Sequence, residues 1–161
     1  MIKNQIKRRV FIVDDDPSVR RGVARLLRST GFEVEAFTSA REFLERELLD
    51  GPSCLVLDVR MDGMDGLDLQ EELNARGLTL PIIFITGHGD IPMSVKAMKA
   101  GAADFLPKPF DDNALLATVR RALKKDALEY RSRAELAGIK ERIATLTPRE
   151  YEVFTYVITG L

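Results

Sequence analysis

Five short apolar bursts, separated by stretches with helical spacing, constrain this chain more than any other feature. The bursts are Val10–Val13, Phe32–Phe37, Cys54–Leu57, Pro81–Ile85 and Ala103–Leu106. Most are near-continuous and rich in β-branched or aromatic residues, which is how strands buried on both faces read. An amphipathic stretch follows each one, so the pattern is five β-α units in succession. Strands alternating with helices imply an α/β fold with a parallel sheet covered on both faces. Right-handed crossovers then reduce the topology to a doubly wound sheet.

The intervening helices have start and stop signals. Pro17 sits where a first helix begins, Val19, Val23, Leu26 and Leu27 form its inner stripe, and Gly31 ends it. Ser39 with Glu42 three residues on predicts a capping box for a second helix, with Phe43, Leu44 and Leu48 inward. Leu69 and Leu73 lie one turn apart in a third. A weakly apolar fourth helix is expected over about residues 91–100 with Val95 and Met98 inward. Leu116, Val119 and Leu123 mark a fifth.

Beyond Leu123 the composition changes. Residues 124–146 are charged and helix-favouring, with Leu128, Leu136, Ile139 and Ile143 as an imperfect stripe. We read a solvated helical linker here in preference to a dimerising helix pair. Thr147-Pro148-Arg149-Glu150 then opens a new helix, with Thr147 as cap, Pro148 at its first position and Val153, Phe154 and Val157 inward. A lone helix of that length is marginal in water and implies missing partners. The expected organisation is a domain over 1–125, a linker over 126–146 and the start of another domain over 147–161.

Net charge excludes a global attraction for nucleic acid or membrane: 24 basic residues face 25 acidic ones, leaving −1. The runs Lys7-Arg8-Arg9 and Arg120-Arg121 are short and read as solvated ends. Cys54, the one cysteine, lies in an apolar run and reads as a small buried residue, in keeping with a reducing cytoplasm. No stretch approaches the length of a membrane-spanning helix, and the N-terminal apolar run is too short for a signal-peptide core. The expected localisation is cytoplasmic.

The chemistry is positional. Strand one ends at Asp14-Asp15-Asp16, strand three at Asp58, strand four at Thr86 and strand five at Lys108. In a parallel sheet these ends share one edge, which is where such folds place their functional groups. Asp16, just before Pro17, reads as a helix cap only. The remaining carboxylates would repel one another and need a cation to stay ionised together. Oxygen donors with no cysteine or histidine beside them suit a hard cation such as Mg²⁺ or Mn²⁺. A carboxylate, a divalent cation and a lysine around one gap suit an incoming phosphoryl group, whose transfer depends on positioning and charge stabilisation. The carboxylate can accept that group as an acyl phosphate.

Four stretches, in order, resemble the receiver domain of two-component response regulators: Val13–Pro17, Leu57–Met61, Ile85–Asp90 and Gly101–Phe110. The run Thr86-Gly87-His88-Gly89-Asp90-Ile91-Pro92-Met93 further resembles the FixJ/NarL-like transcription regulators. Leu146–Val153 resembles the opening of their LuxR-type helix-turn-helix domain, whose recognition helix would lie beyond Leu161. The resemblance implies a flavodoxin-like (βα)5 sheet of strand order 2-1-3-4-5 with a C-terminal helical extension. It implies Asp58 as phosphoacceptor, Asp15 and Asp14 as the cation-holding pair, the Arg60 carbonyl as a third protein ligand and Thr86 as the hydroxyl that turns to the phosphoryl group. It also implies Lys108 as the ion-pairing lysine before a cis peptide to Pro109, and Phe105 as an aromatic switch. Arg60 and His88, each two residues past a key site, resemble positions that tune phosphoaspartate hydrolysis; a lone histidine offers no metal constellation.

The implied function is a signalling switch with only self-catalysed transfer and slow autodephosphorylation, not an enzyme of metabolism. The implied partners are a histidine kinase, a second copy through the face of helix 4, strand 5 and helix 5, and DNA only in the full-length protein; no membrane is implied. The sequence departs from the family where Asp62 replaces the proline that usually follows Met61, adding a carboxylate and removing a rigid turn. Two rival readings stand beside this one. One is a haloacid-dehalogenase-type phosphohydrolase with Asp14 as nucleophile; the other is an interaction module with a degenerate pocket.

Overall fold

A computed structural model describes residues 8–47, 51–87 and 91–145. The elements, in chain order, are β1 (Arg9–Val13), α1 (Pro17–Ser29), β2 (Glu33–Phe37), α2 (Ala40–Glu45) and β3 (Ser53–Asp58). They continue with α3 (Gly66–Ala75), β4 (Ile82–Thr86), α4 (Ile91–Lys99), β5 (Asp104–Pro107) and α5 (Asp112–Thr145). All strand pairs are parallel and the order is β2-β1-β3-β4-β5. The doubly wound sheet expected from the apolar bursts is therefore present.

The strands alternate their side chains between two cores, as the period of two requires. Val10, Ile12, Cys54, Val56, Ile83 and Ile85 meet α1 and α5 through Val23, Leu27, Leu115, Val119 and Leu123. Phe11, Val13, Leu55, Leu57, Ile82 and Phe84 meet the other helices through Phe43, Leu69, Leu73 and Ala97. Each large apolar side chain fully buried in this way contributes about 1.5–3 kcal/mol.

The helix ends follow from their sequences. Asp16 caps α1 by accepting from the N–H groups of Ser18 and Val19, with Pro17 at the first position. Gly31, at φ 95°, supplies the left-handed turn behind α1. Asp65 and Asp68 form a reciprocal capping box at α3.

Two expectations need correction. Ser39 accepts from the Glu42 N–H, but the Glu42 carboxylate accepts from the Thr38 hydroxyl instead of closing the box. Val95 and Met98 do not face inward: they are 46% and 44% exposed, and among the described residues of α4 it is Ala97 that is buried. The helix meets the core through Ala97 and Met93, which leaves Val95 and Met98 on its outer side. The fifth helix runs on through the residues read as a helical linker, so that α5 extends to Thr145.

The chain divides into two compact units, Met1–Ala127 and Leu128–Leu161. Within the second, Leu128, Leu136 and Ile139 are exposed, as a solvated helix would have them. Leu48 and His88 lie outside the described residues, as do Lys7 and the readings made for residues 146–161. Among the described residues, no helix is long and apolar enough to cross a membrane.

Candidate functional site

Parallel register brings the strand ends together. Val13 pairs with Leu57, so Asp14 and Asp58 emerge side by side one residue later. Asp58 pairs with Ile85, just before Thr86, and Thr86 pairs with Pro107, just before Lys108. The Lys108 N–H donates to the Thr86 carbonyl at 2.6 Å, which fixes the lysine's backbone at the rim.

Carboxylate oxygens of Asp14, Asp15 and Asp58 lie within 4.8 Å of one another. Asp14 is fully buried, Asp58 is 6% exposed, and Asp15 faces solvent. The Lys108 Nζ lies 3.3 Å from Asp14 Oδ2 and 3.5 Å from Asp58 Oδ2, so one ammonium serves both buried carboxylates. The other oxygens of that pair accept backbone hydrogen bonds: Asp14 Oδ1 from Asp16 N–H at 2.9 Å and Asp58 Oδ1 from Arg60 N–H at 3.2 Å. The Arg20 guanidinium donates to the Asp14 carbonyl at 2.8 Å, a support that sequence pattern alone does not reveal.

Burial, and then the nearby Asp14 charge, push the Asp58 carboxyl up from 3.8 to about 6, against the pull of Lys108 and the Arg60 N–H. The Lys108 ammonium thus does not offset burial and the Asp14 charge at Asp58. The donors are all oxygen and converge on a small volume, which fits a hard divalent cation. The cluster therefore suits chemistry in which a carboxylate meets an anionic group beside concentrated positive charge.

The remaining predicted residues are placed as follows. Thr86 is buried at the end of β4, and Phe105 is half-buried, its ring centroid 6.4 Å from that of Phe84. The Lys108–Pro109 peptide is cis. Arg60 is exposed, with its guanidinium 4.0 Å from the Met93 sulfur. Cys54 is buried, and burial pushes its thiol far above the ordinary range, so it serves as packing.

Two contacts escape the sequence reading. Asp62 N–H donates to Asp15 Oδ2 at 3.3 Å. A Cβ on Gly66 would lie 2.4 Å from the Asp58 carbonyl oxygen, so only glycine lets α3 start this close to the end of β3. Gly66 stands in the sequence as one more loop glycine, and nothing in its spacing declares that approach.

Residues 10–120 match the response regulator receiver domain family. Nodulation protein W of Bradyrhizobium diazoefficiens is 53% identical over 152 residues, covering 94% of this chain and 67% of that protein. Transcriptional regulatory protein FixJ of Azorhizobium caulinodans is 47% identical, covering 94% of this chain and 72% of its own length. The solved structure of response regulator StyR superposes with a TM-score of 0.87 at 50% identity, covering 96% of this chain and 78% of that one.

Proposed function

This chain belongs to the response regulator receiver family, and on that premise we propose that Asp58 is its phosphoacceptor, charged by a sensor histidine kinase in a Mg²⁺-dependent reaction. The observation that supports this is the meeting of three carboxylates within 4.8 Å with one ammonium 3.3–3.5 Å from two of them. Asp58 is the acceptor because, of the two carboxylates that share Lys108, it alone keeps some exposure, 6% against none for Asp14. That arrangement also disfavours the hydrolase reading, which needs Asp14 to attack.

An Asp58 oxygen attacks the phosphorus carried on the partner's histidine nitrogen. The P–O bond forms as the P–N bond breaks, and the bond pair leaves on the imidazole, which takes a proton from solvent. Asp14, Asp15, Asp58 and the Arg60 carbonyl would hold Mg²⁺ (or Mn²⁺), which when bound supplies positive charge to the transferring oxygens. Lys108 steadies the same charge and stays paired with the phosphorylated Asp58. The Thr86 hydroxyl donates to a phosphoryl oxygen, and Phe105 moves further into the space behind it. Arg60 and His88 tune access of water to the acyl phosphate. The chain works as a switch in the cytoplasm, turning over only its own phosphoryl group.

Phosphorylation can shift a balance only through contacts that differ between the two states. The output we propose is self-association through α4, β5 and α5, where Val95 and Met98 present apolar surface. The whole protein would thereby control transcription through a DNA-binding portion that follows the 126–146 linker and begins near residue 147. The test is phosphorylation by a small acyl phosphate with Mg²⁺, read by intact mass and sizing, with wild type beside Asp58→Asn. Label on wild type alone, accompanied by a larger species, is the expected result. Label retained in Asp58→Asn would transfer the role to another carboxylate.

A further inference from the structure

The three cluster carboxylates are not held alike. Asp14 accepts from Asp16 N–H and Lys108 Nζ, and Asp58 from Arg60 N–H and Lys108 Nζ, so both are fixed at two oxygens. Asp15 is exposed and, among the described residues, is reached by one hydrogen bond, from the Asp62 N–H at 3.3 Å. Its donor sits in the short loop between β3 and α3. That loop is closed at its far end by Gly66 N–H donating to the Val59 carbonyl at 2.9 Å, and it turns at Gly63 with φ 75°. The donor is therefore a fixed point of the loop. The Asp62 carboxylate, by contrast, is not among the oxygens that converge within 4.8 Å.

Resting on the cation-site reading above, we propose that Asp62 is a positioning residue for that site, acting through its backbone N–H and not through its charge. An exposed aspartate samples several rotamers, and a ligand must stop them when it binds. Tying Oδ2 to the Asp62 N–H settles that rotamer beforehand and leaves the other oxygen for the cation. Any residue with a backbone N–H supplies this; proline does not. The residue at 62 thus sets cation affinity, and side-chain substitutions that keep the N–H leave it alone.

The test is Mn²⁺ titration of the full chain, followed by water-proton relaxation, on wild type, Asp62→Ala, Asp62→Pro and Asp15→Asn. Loss of one hydrogen bond predicts binding about three- to tenfold weaker in Asp62→Pro. Asp62→Ala should stay within about twofold of wild type, since it loses no contact to Asp15. Cation-free melts of the same variants separate the roles: a merely structural role would lower the melting temperature of Asp62→Pro while leaving its Mn²⁺ affinity at the Asp62→Ala value. Equal affinities for Asp62→Pro and Asp62→Ala would overturn the proposal, whether both change or neither does. Wild-type binding by Asp15→Asn would instead sink the cation-site reading itself. Should Asp62→Pro fail to fold, the Asp62 amide proton decides: it should move upfield in Asp15→Ala, and an unmoved resonance overturns the proposal.

Discussion

Replacing Asp58 with asparagine should stabilise the cation-free protein. Burial beside Asp14 holds the Asp58 carboxyl at about 6 in the folded chain against 3.8 ordinarily. That difference costs the ionised folded state about 3 kcal/mol at most. Asparagine keeps the shape and drops the charge, but it also ends the 3.5 Å contact with Lys108. The net gain is therefore smaller, about 1–2 kcal/mol, which raises the melting temperature by roughly 3–8 °C. The sign with pH is fixed by linkage. Because the folded carboxyl keeps its proton to a higher pH than the unfolded one, wild type loses stability relative to the variant as pH climbs from 3.8 through about 6, and the gap is constant beyond. Thermal melts of both proteins, with a chelator and at a series of pH values, measure this directly. Added Mg²⁺ should then raise wild type more than the variant, narrowing the gap, since it binds the ionised cluster. An asparagine variant no more stable than wild type at neutral pH, or a gap indifferent to pH across that window, would refute the electrostatic account of the site.

Four further outcomes follow. Lys108→Met removes the positive charge that pulls the Asp58 carboxyl down, so its midpoint should rise above about 6 by carbon-13 NMR titration. Gly66→Ala forces a methyl into backbone and should cost about 2 kcal/mol or more in a urea melt, with the Arg60 amide resonance perturbed. Gln70→Leu strips the buried donor from the Ala97 carbonyl, a 2.9 Å bond joining α3 to α4, and should cost about 1–3 kcal/mol by the same melt. Cys54, buried and raised, should resist alkylation in the folded chain and react readily in denaturant.

The sheet was legible because its strands are buried on both faces and so spell themselves as apolar runs such as Cys54–Leu57. The rim cluster was legible for a related reason: a parallel sheet delivers every strand end to one side, so Asp14, Asp58, Thr86 and Lys108 needed no long-range guess. Elements that pack by one face only were harder. Residues Val95 and Met98 look like a core stripe by composition, yet α4 rests on Ala97 and Met93, and hydrophobic identity alone does not say which side a short helix offers. Backbone donations such as Asp62 to Asp15 leave no trace in residue type, since every residue but proline has the same N–H.

The start of α3 stands against the Asp58 carbonyl with no room for a single methyl between them. A side chain rooted in so crowded a footing would have no freedom to recede were three oxygens and a phosphorus to arrive at its tip. On the reading proposed above, displacement would then be taken up on the opposite bank, along β4 and β5, where Thr86 and Phe105 stand. A wall on one flank would thus give the incoming message a direction.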